Sequence, residues 1–245
     1  MPLKEEMERE GNWLFRRRSY LPLLMVVPIL LAMRQMDPQD HAYEIKQSWA
    51  LFCMGVSFLG LGVRIFTIGY TPFGTSGRNT VEQVAEEVNT RGIYSLVRHP
   101  LYVGNYLIWL GVSMFFMTWW LPVIFTLIYW IYYERIMIAE EEFLRRKFGD
   151  AYERWAEKTP AFVPNPRLWV RSTLSFSLRN VLKREYSGFF GIIAVFFVLE
   201  VAVQLAVEHE PIPVHWFVIF LSGLAVYFTL RTLKRNTTLL HVQGR

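Results

Sequence analysis

The chain has a single cysteine in 245 residues, Cys53, and it lies inside an apolar run. That excludes a disulfide framework and a cysteine-rich metal site. Charge is also scarce. Asp, Glu, Lys and Arg together make up 19% of the residues, against about a quarter in soluble domains, which argues against an ordinary soluble enzyme. Aromatic residues reach 16%, which argues against a disordered chain, since such chains are poor in aromatics. There is no internal repeat and no low-complexity tract. His41, His99, His209, His215 and His241 are scattered, so no metal-ligand constellation is expected. No small-residue cleavage pattern follows the first apolar run, so a cleavable signal is not expected.

What the chain does have is apolar sequence in long runs. Hydrophobic residues make up 53%, the net charge is +5 and the mean hydropathy is +0.22. Crossing hydrocarbon as a helix takes about 20 mostly apolar residues. The expected fold is therefore an all-α polytopic membrane protein with about six transmembrane helices, five being the alternative. The spans are expected near residues 19–36, 48–70, 101–139 (two spans, with a tight turn near Thr118–Pro122), 188–207 and 214–233. The first carries Pro22 and Pro28, so it is either kinked or shallow. Arg16, Arg17 and Arg18 assign the N-terminus to the cytoplasmic side, and six spans then keep Arg145–Lys147, Lys183–Arg184 and Lys234–Arg235 inside as well. A bacterial inner membrane is the expected location, with the endoplasmic reticulum as the alternative.

Two segments are not spans. Residues 74–91 are polar, with turn formers and then a short helical pattern. Residues 147–184 begin as a helix, break at Pro160, Pro164 and Pro166, and continue as RLWVRSTLSFSLRNVLKREY. That last piece mixes Leu, Phe and Trp with basic residues, as an interfacial segment against anionic headgroups would. A division follows into residues 1–47, an N-terminal segment with the first membrane helix; 48–166, a membrane core; and 167–245, the interfacial segment with a C-terminal hairpin.

Two motifs carry chemistry. RGIYSLVRHPLYVGNY (91–106) stands at the mouth of the third span. Arg98 and His99 precede a helix whose N-terminus offers free N–H groups to an anion, and Arg98 adds a fork for a carboxylate or phosphate. Tyr94 and Tyr102 present aromatic faces to a flat ring or a cation. EEEFLRRKFGDAY (140–152) follows about 40 residues after His99. Two spans of about 20 residues return the chain to the side it left, so both motifs should share one face. Taken singly, each has a plainer role: a topology signal, an interfacial histidine, a solvated helix cap, an aromatic belt. Their joint placement points to a site. Within the other spans, Arg64 near a helix end suits snorkelling. Glu200 at mid-span, with Gln204 one turn on, is a functional candidate or a structural pair.

RHPLYVG followed by EEEFLRRKFGDAYERW and a proline-containing tail, FVPNP, resembles the isoprenylcysteine carboxyl methyltransferase family and its phospholipid methyltransferase relatives. The pattern is met at Arg98, His99, Pro100, Tyr102 and Gly104, and at Glu140, Glu141, Leu144, Phe148, Gly149 and Tyr152, over residues 48–166. The resemblance implies S-adenosylmethionine as methyl donor and no metal. It implies a cofactor pocket lined by Tyr94, His99, Pro100, Leu101, Tyr102, Glu140 and Glu141, with further contacts near residues 86–89. It also implies an acceptor-orienting arginine just before the glutamates, for which Arg135, displaced by one residue, is the nearest candidate. An acceptor anionic at neutral pH needs an arginine rather than a base, so Arg98 and Arg135 favour a carboxylate or phosphate on a lipid or lipid-linked substrate. A phospholipid amine is the alternative acceptor, and a non-catalytic transporter or scaffold the alternative class. Nothing points to nucleic acid.

Overall fold

The computed structural model describes residues 2–37, 40, 42–72 and 85–242, and everything in them is helix, turn or irregular chain apart from one isolated bridge. The helices are α1 (Leu3–Arg17), α2 (Leu21–Leu24), α3 (Val26–Gln35), α4 (Tyr43–Gly69), α5 (Pro100–Met114), α6 (Trp120–Phe148), α7 (Asp150–Ala156), α8 (Leu178–Val203) and α9 (Val214–Asn236). A π-helical turn, Gln204–Glu208, extends α8. Four of these are long and apolar enough to cross a membrane: α4, α6, the extended α8 and α9.

The span count differs from the six expected, for two reasons. The first apolar run breaks at Met25 into α2 and α3, and the longer piece has only ten residues. The third run forms α5, of 15 residues, about 22 Å at 1.5 Å per residue against a hydrocarbon core of about 30 Å. Its turn comes early, at residues 115–119, with Met117 at positive φ. The fifth run starts ten residues sooner than expected, at Leu178, capped by Ser177, whose hydroxyl accepts from the Asn180 N–H. Most of the helical pattern expected within 74–91 lies outside the described residues, and 85–91 is irregular.

Small residues set the tightest packing. Gly60 of α4 lies against the Gly104 carbonyl of α5, and Gly111 lies against Ser57 and the Cys53 carbonyl, so a Cβ at either glycine would collide with backbone. The Ser57 hydroxyl donates to the Ile108 carbonyl at 2.7 Å. This is close small-residue packing of the kind that joins helices in a membrane. Amphipathic α1 lies along α6 with Gly11 beneath the Arg135 carbonyl. Lys4–Glu142 at 2.8 Å, Arg146–Glu8 at 2.5 Å and Arg135–Glu10 at 2.7 Å tie the two helices. At the other end of the bundle Glu200 is buried. It accepts from the amides of Gln47 at 2.7 Å and Gln204 at 3.0 Å, and Trp216 donates to the Gln47 carbonyl oxygen at 2.8 Å. The structural pairing considered for Glu200 is thus present.

Candidate active site

Pro100 opens α5, where a missing N–H costs nothing, and His99 is its N-cap. The turn before it is held by the chain that follows α7. The Arg98 N–H donates to the Pro160 carbonyl at 2.9 Å, the His99 N–H to Ala161 at 3.2 Å, and the Asn165 N–H to Leu96 at 3.0 Å. Gly92, at φ +60, receives this same segment through a bridge to Val170.

Glu140 and Glu141 reach the turn from α6. His99 Nε2 lies 3.0 Å from Glu141 Oε1, and Nδ1 lies 3.5 Å from Glu140 Oε2. The Tyr102 hydroxyl donates to Glu140 Oε1 at 2.6 Å. Arg98 Nε stands 3.1 Å from Glu141 Oε1, and its Nη1 donates to the Ala156 carbonyl at 3.1 Å. Burial of His99 acts to lower its pKa. Hydrogen bonds to Glu140 and Glu141, and then their charge, outweigh this and hold the imidazole above its ordinary value. That favours a ring with both N–H groups donating, one toward each carboxylate.

Aromatic rings floor the cluster. His99 and Tyr102 stack at 5.7 Å and 16°, Tyr102 meets Tyr133 at 4.8 Å, and Tyr133 stacks on Tyr129 at 4.1 Å. The Tyr129 hydroxyl donates to the Tyr102 carbonyl at 2.7 Å. Tyr129, Tyr133 and Glu140 are spaced four and seven apart, one face of a helix. Tyr94 sits in the one-turn helix Ile93–Ser95, where burial and then the charge of Glu140 raise its phenol. Pro100 is buried and Leu101 half-buried at the start of α5. Residues 86–89 are irregular, as is the rest of the approach to Gly92.

Arg135 stands apart from this cluster. Five residues before Glu140, it lies about 140° around the helix and faces α1. Its Nε donates to Glu10 and its Nη1 to the Ile131 carbonyl at 2.9 Å. There it borders an apolar groove walled by Trp13, Leu14, Leu24, Ile128 and Tyr132.

A buried ion pair between α4 and α8 was not expected as a pair. Arg64 Nε and Nη2 donate to Glu185 Oε2 and Oε1 at 2.9 and 2.8 Å, and Nη1 donates to Asn105 Oδ1 at 2.6 Å. Arg64 is thus clamped between α8 and α5 rather than snorkelling. A basic side chain inside an apolar run was the available signal; the partner, 121 residues away, had none. Among the described residues no three His, Cys, Asp or Glu side chains converge to hold a metal ion.

Residues 50–151 match the family model described as phospholipid methyltransferase. Over 75 residues the chain is 37% identical to the protein-S-isoprenylcysteine O-methyltransferase of Schizosaccharomyces pombe, a stretch covering 31% of this chain and 32% of that protein. Over 125 residues it is 31% identical to the probable protein-S-isoprenylcysteine O-methyltransferase of Oryza sativa subsp. indica, covering 49% and 65%. Over 124 residues it is 33% identical to the nickel-cobalt-cadmium resistance protein NccN of Alcaligenes xylosoxydans xylosoxydans, covering 50% and 54%. The chain therefore spans between about a third and two thirds of these relatives' lengths. No solved structure matches it significantly. The fold is that of a polytopic helical membrane protein. Its core, from α4 into α7, is similar to the phospholipid methyltransferase family model and to proteins named as isoprenylcysteine O-methyltransferases. The match ends at residue 151, so the rest of α7, the segment after it, α8 and α9 lie beyond it.

Proposed function

We propose that the protein is an integral membrane methyltransferase that uses S-adenosylmethionine and methylates a carboxylate or phosphate of a lipid or lipid-linked acceptor at the cytoplasmic face. The observation that carries this is the convergence of Arg98, His99 and Tyr102 on Glu140 and Glu141, inside the residues that match the phospholipid methyltransferase family model.

The residues suit that cofactor. Beside the cluster the buried Trp155 Nε1 donor makes no hydrogen bond among the described residues, so a bound carboxylate would satisfy it, while Arg98 already faces Glu141. Glu140 and Glu141 are matched to an ammonium or to ribose hydroxyls, and the faces of Tyr94 and Tyr102 to an adenine ring or a sulfonium. Pro100 and Leu101 would add apolar wall.

When bound, S-adenosylmethionine supplies the activated methyl group. The chain supplies position and electrostatics. Arg98 and His99 offset the charge of the two glutamates, so little uncompensated negative charge remains to overstabilise a cationic ground state. The Tyr102–Tyr133–Tyr129 stack excludes water from one side of the cluster. An anionic acceptor needs no general base, only a cation to hold it. We assign that role to Arg135, whose apolar groove suits a lipid chain.

The test is transfer of radiolabelled methyl from S-adenosylmethionine to a total lipid extract by the purified protein. Alkali-labile label in the lipid fraction supports this reading. Alkali-stable label would instead indicate a methylated phospholipid amine. No label and no cofactor binding would sink the proposal.

A further inference from the structure

Between α7 and α8 the chain crosses the His99 end of the bundle as a strap, residues 157–177, irregular apart from a single helical turn at Pro166–Leu168. Its inner side is pinned by backbone groups. It accepts the Arg98 and His99 N–H groups, bridges Gly92 through Val170, and donates the Ser177 N–H to the Gly69 carbonyl at 2.9 Å. The Val170 N–H donates to the Ser95 hydroxyl at 2.9 Å. The Phe176 ring closes directly over Gly69, where a Cβ would not fit.

Its outer side has a different character. Arg167, Trp169 and Arg171, with Leu178 and Arg179 at the start of α8, are all exposed; Trp169 is 47% and Leu178 58% accessible, and the Phe176 ring over Gly69 keeps its other edge open. From Ala161 to Arg184 there is no Asp or Glu. Arg167, Arg171 and Arg179 form no ion pair with any described residue. Exposed indole, phenyl and leucyl groups set among unpaired arginines are costly in water and favourable at a bilayer interface. The strap also runs directly into α8, a helix long and apolar enough to span, so it lies where that helix leaves the hydrocarbon. Trp169 and Phe176 rest against Phe66 and Tyr70 in the last turns of α4, at 6.2 and 5.4 Å, at the same level.

We propose that this strap is a lipid-docking cover: its arginine-rich aromatic face binds anionic phospholipid headgroups, and that docking orders the Arg98–His99 turn and so raises the site's affinity for its cofactor. The partner follows from charge complementarity and from continuity with α8. The coupling follows from shared backbone, because the strap that carries the docking arginines also carries the Pro160 and Ala161 carbonyls that accept the N–H groups of Arg98 and His99. The coupling half rests on the cofactor reading above.

The experiment places the full-length protein in nanodiscs of phosphatidylcholine alone or with phosphatidylglycerol. Amide hydrogen exchange of residues 163–177 reads docking, and S-adenosylmethionine titration reads the site. We expect slower strap exchange and tighter cofactor binding in the anionic discs. Each arginine near an anionic surface is worth about fivefold in docking, so Arg167→Gln/Arg171→Gln/Arg179→Gln should weaken docking about a hundredfold and erase both lipid effects while cofactor binding in neutral discs persists. Raising the salt on the wild-type protein should weaken both effects without any mutation. Strap exchange indifferent to phosphatidylglycerol overturns the docking. Slower exchange with unchanged cofactor affinity overturns the coupling. Absence of cofactor binding in both discs refutes the cofactor reading and the coupling with it, and leaves docking to be judged by exchange alone.

Discussion

Glu185 offers the sharpest test of how the C-terminal hairpin is attached. Its carboxylate takes two parallel hydrogen bonds from Arg64, and the two side chains are only 3% and 15% exposed. In Glu185→Leu the guanidinium keeps a single neutral partner, Asn105. Breaking a buried pair by removing one member costs about 3–5 kcal/mol, because a charge is left buried and uncompensated. For a chain of this size each kcal/mol moves the melting temperature by about 2–4 °C, so Tm should fall by roughly 6–20 °C in detergent. Replacing both members by apolar residues of similar volume is close to neutral, so Arg64→Met/Glu185→Leu should recover most of that loss. Thermal unfolding of the wild type, the single variant and the double variant measures all three quantities. A single variant melting with the wild type, or a double variant melting as low as the single, would refute the argument that this pair joins α8 to the core.

His99→Ala and Glu140→Ala each remove a charge-assisted contact and should weaken S-adenosylmethionine binding tenfold or more, by about 1.5–3 kcal/mol, with helical circular dichroism retained; unchanged calorimetric affinity in both would remove these residues from the site. Because folding raises the His99 pKa, its ionic contacts stabilise fully below about pH 6.5 and are lost as pH rises through the raised value. Tm should therefore decline on that alkaline side in the wild type and be flatter in His99→Gln. Gly11→Leu would drive a side chain into the Arg135 carbonyl and lift α1 from α6, read as faster amide exchange in residues 3–17. Arg135→Ala should leave cofactor affinity intact and abolish methyl transfer to lipid; loss of cofactor binding instead would place Arg135 on the wrong side of the reaction.

Long apolar runs made α4, α6, α8 and α9 legible, because length and hydropathy are local properties. The meeting of His99 with Glu140 and Glu141 was legible by counting two spans between them. The face of α6 that carries Tyr129 and Tyr133 could have been read from their spacing to Glu140. Other features had no local signal. Residues 3–17 carry eight charges and a glycine, with no apolar run to mark them; their helix is held by tertiary pairs, Glu10 with Arg135 and Glu8 with Arg146. The strap's role depends on backbone groups, which no side-chain pattern discloses. Glu185 stands one residue after a basic cluster, and only the fold reveals that it faces Arg64.

The shortness of α5 explains how these parts make a site. From Trp120 to Glu140 the helix α6 rises about 30 Å, while all of α5 rises about 22 Å. An even hairpin would leave the glutamates level with the end of α5 and open to water. Here α6 overshoots, and Tyr102 lies lengthwise along it: its carbonyl is bonded to Tyr129 and its hydroxyl to Glu140, eleven residues or about 16 Å further on. The carboxylates thus stand over the N-terminus of α5, where the free N–H groups and the helix dipole favour negative charge. His99 and Arg98 fill the step between the two helices, and the strap closes it from outside. The overshoot therefore turns a charge cluster that would otherwise be a solvated helix end into an enclosed polar site at the membrane boundary.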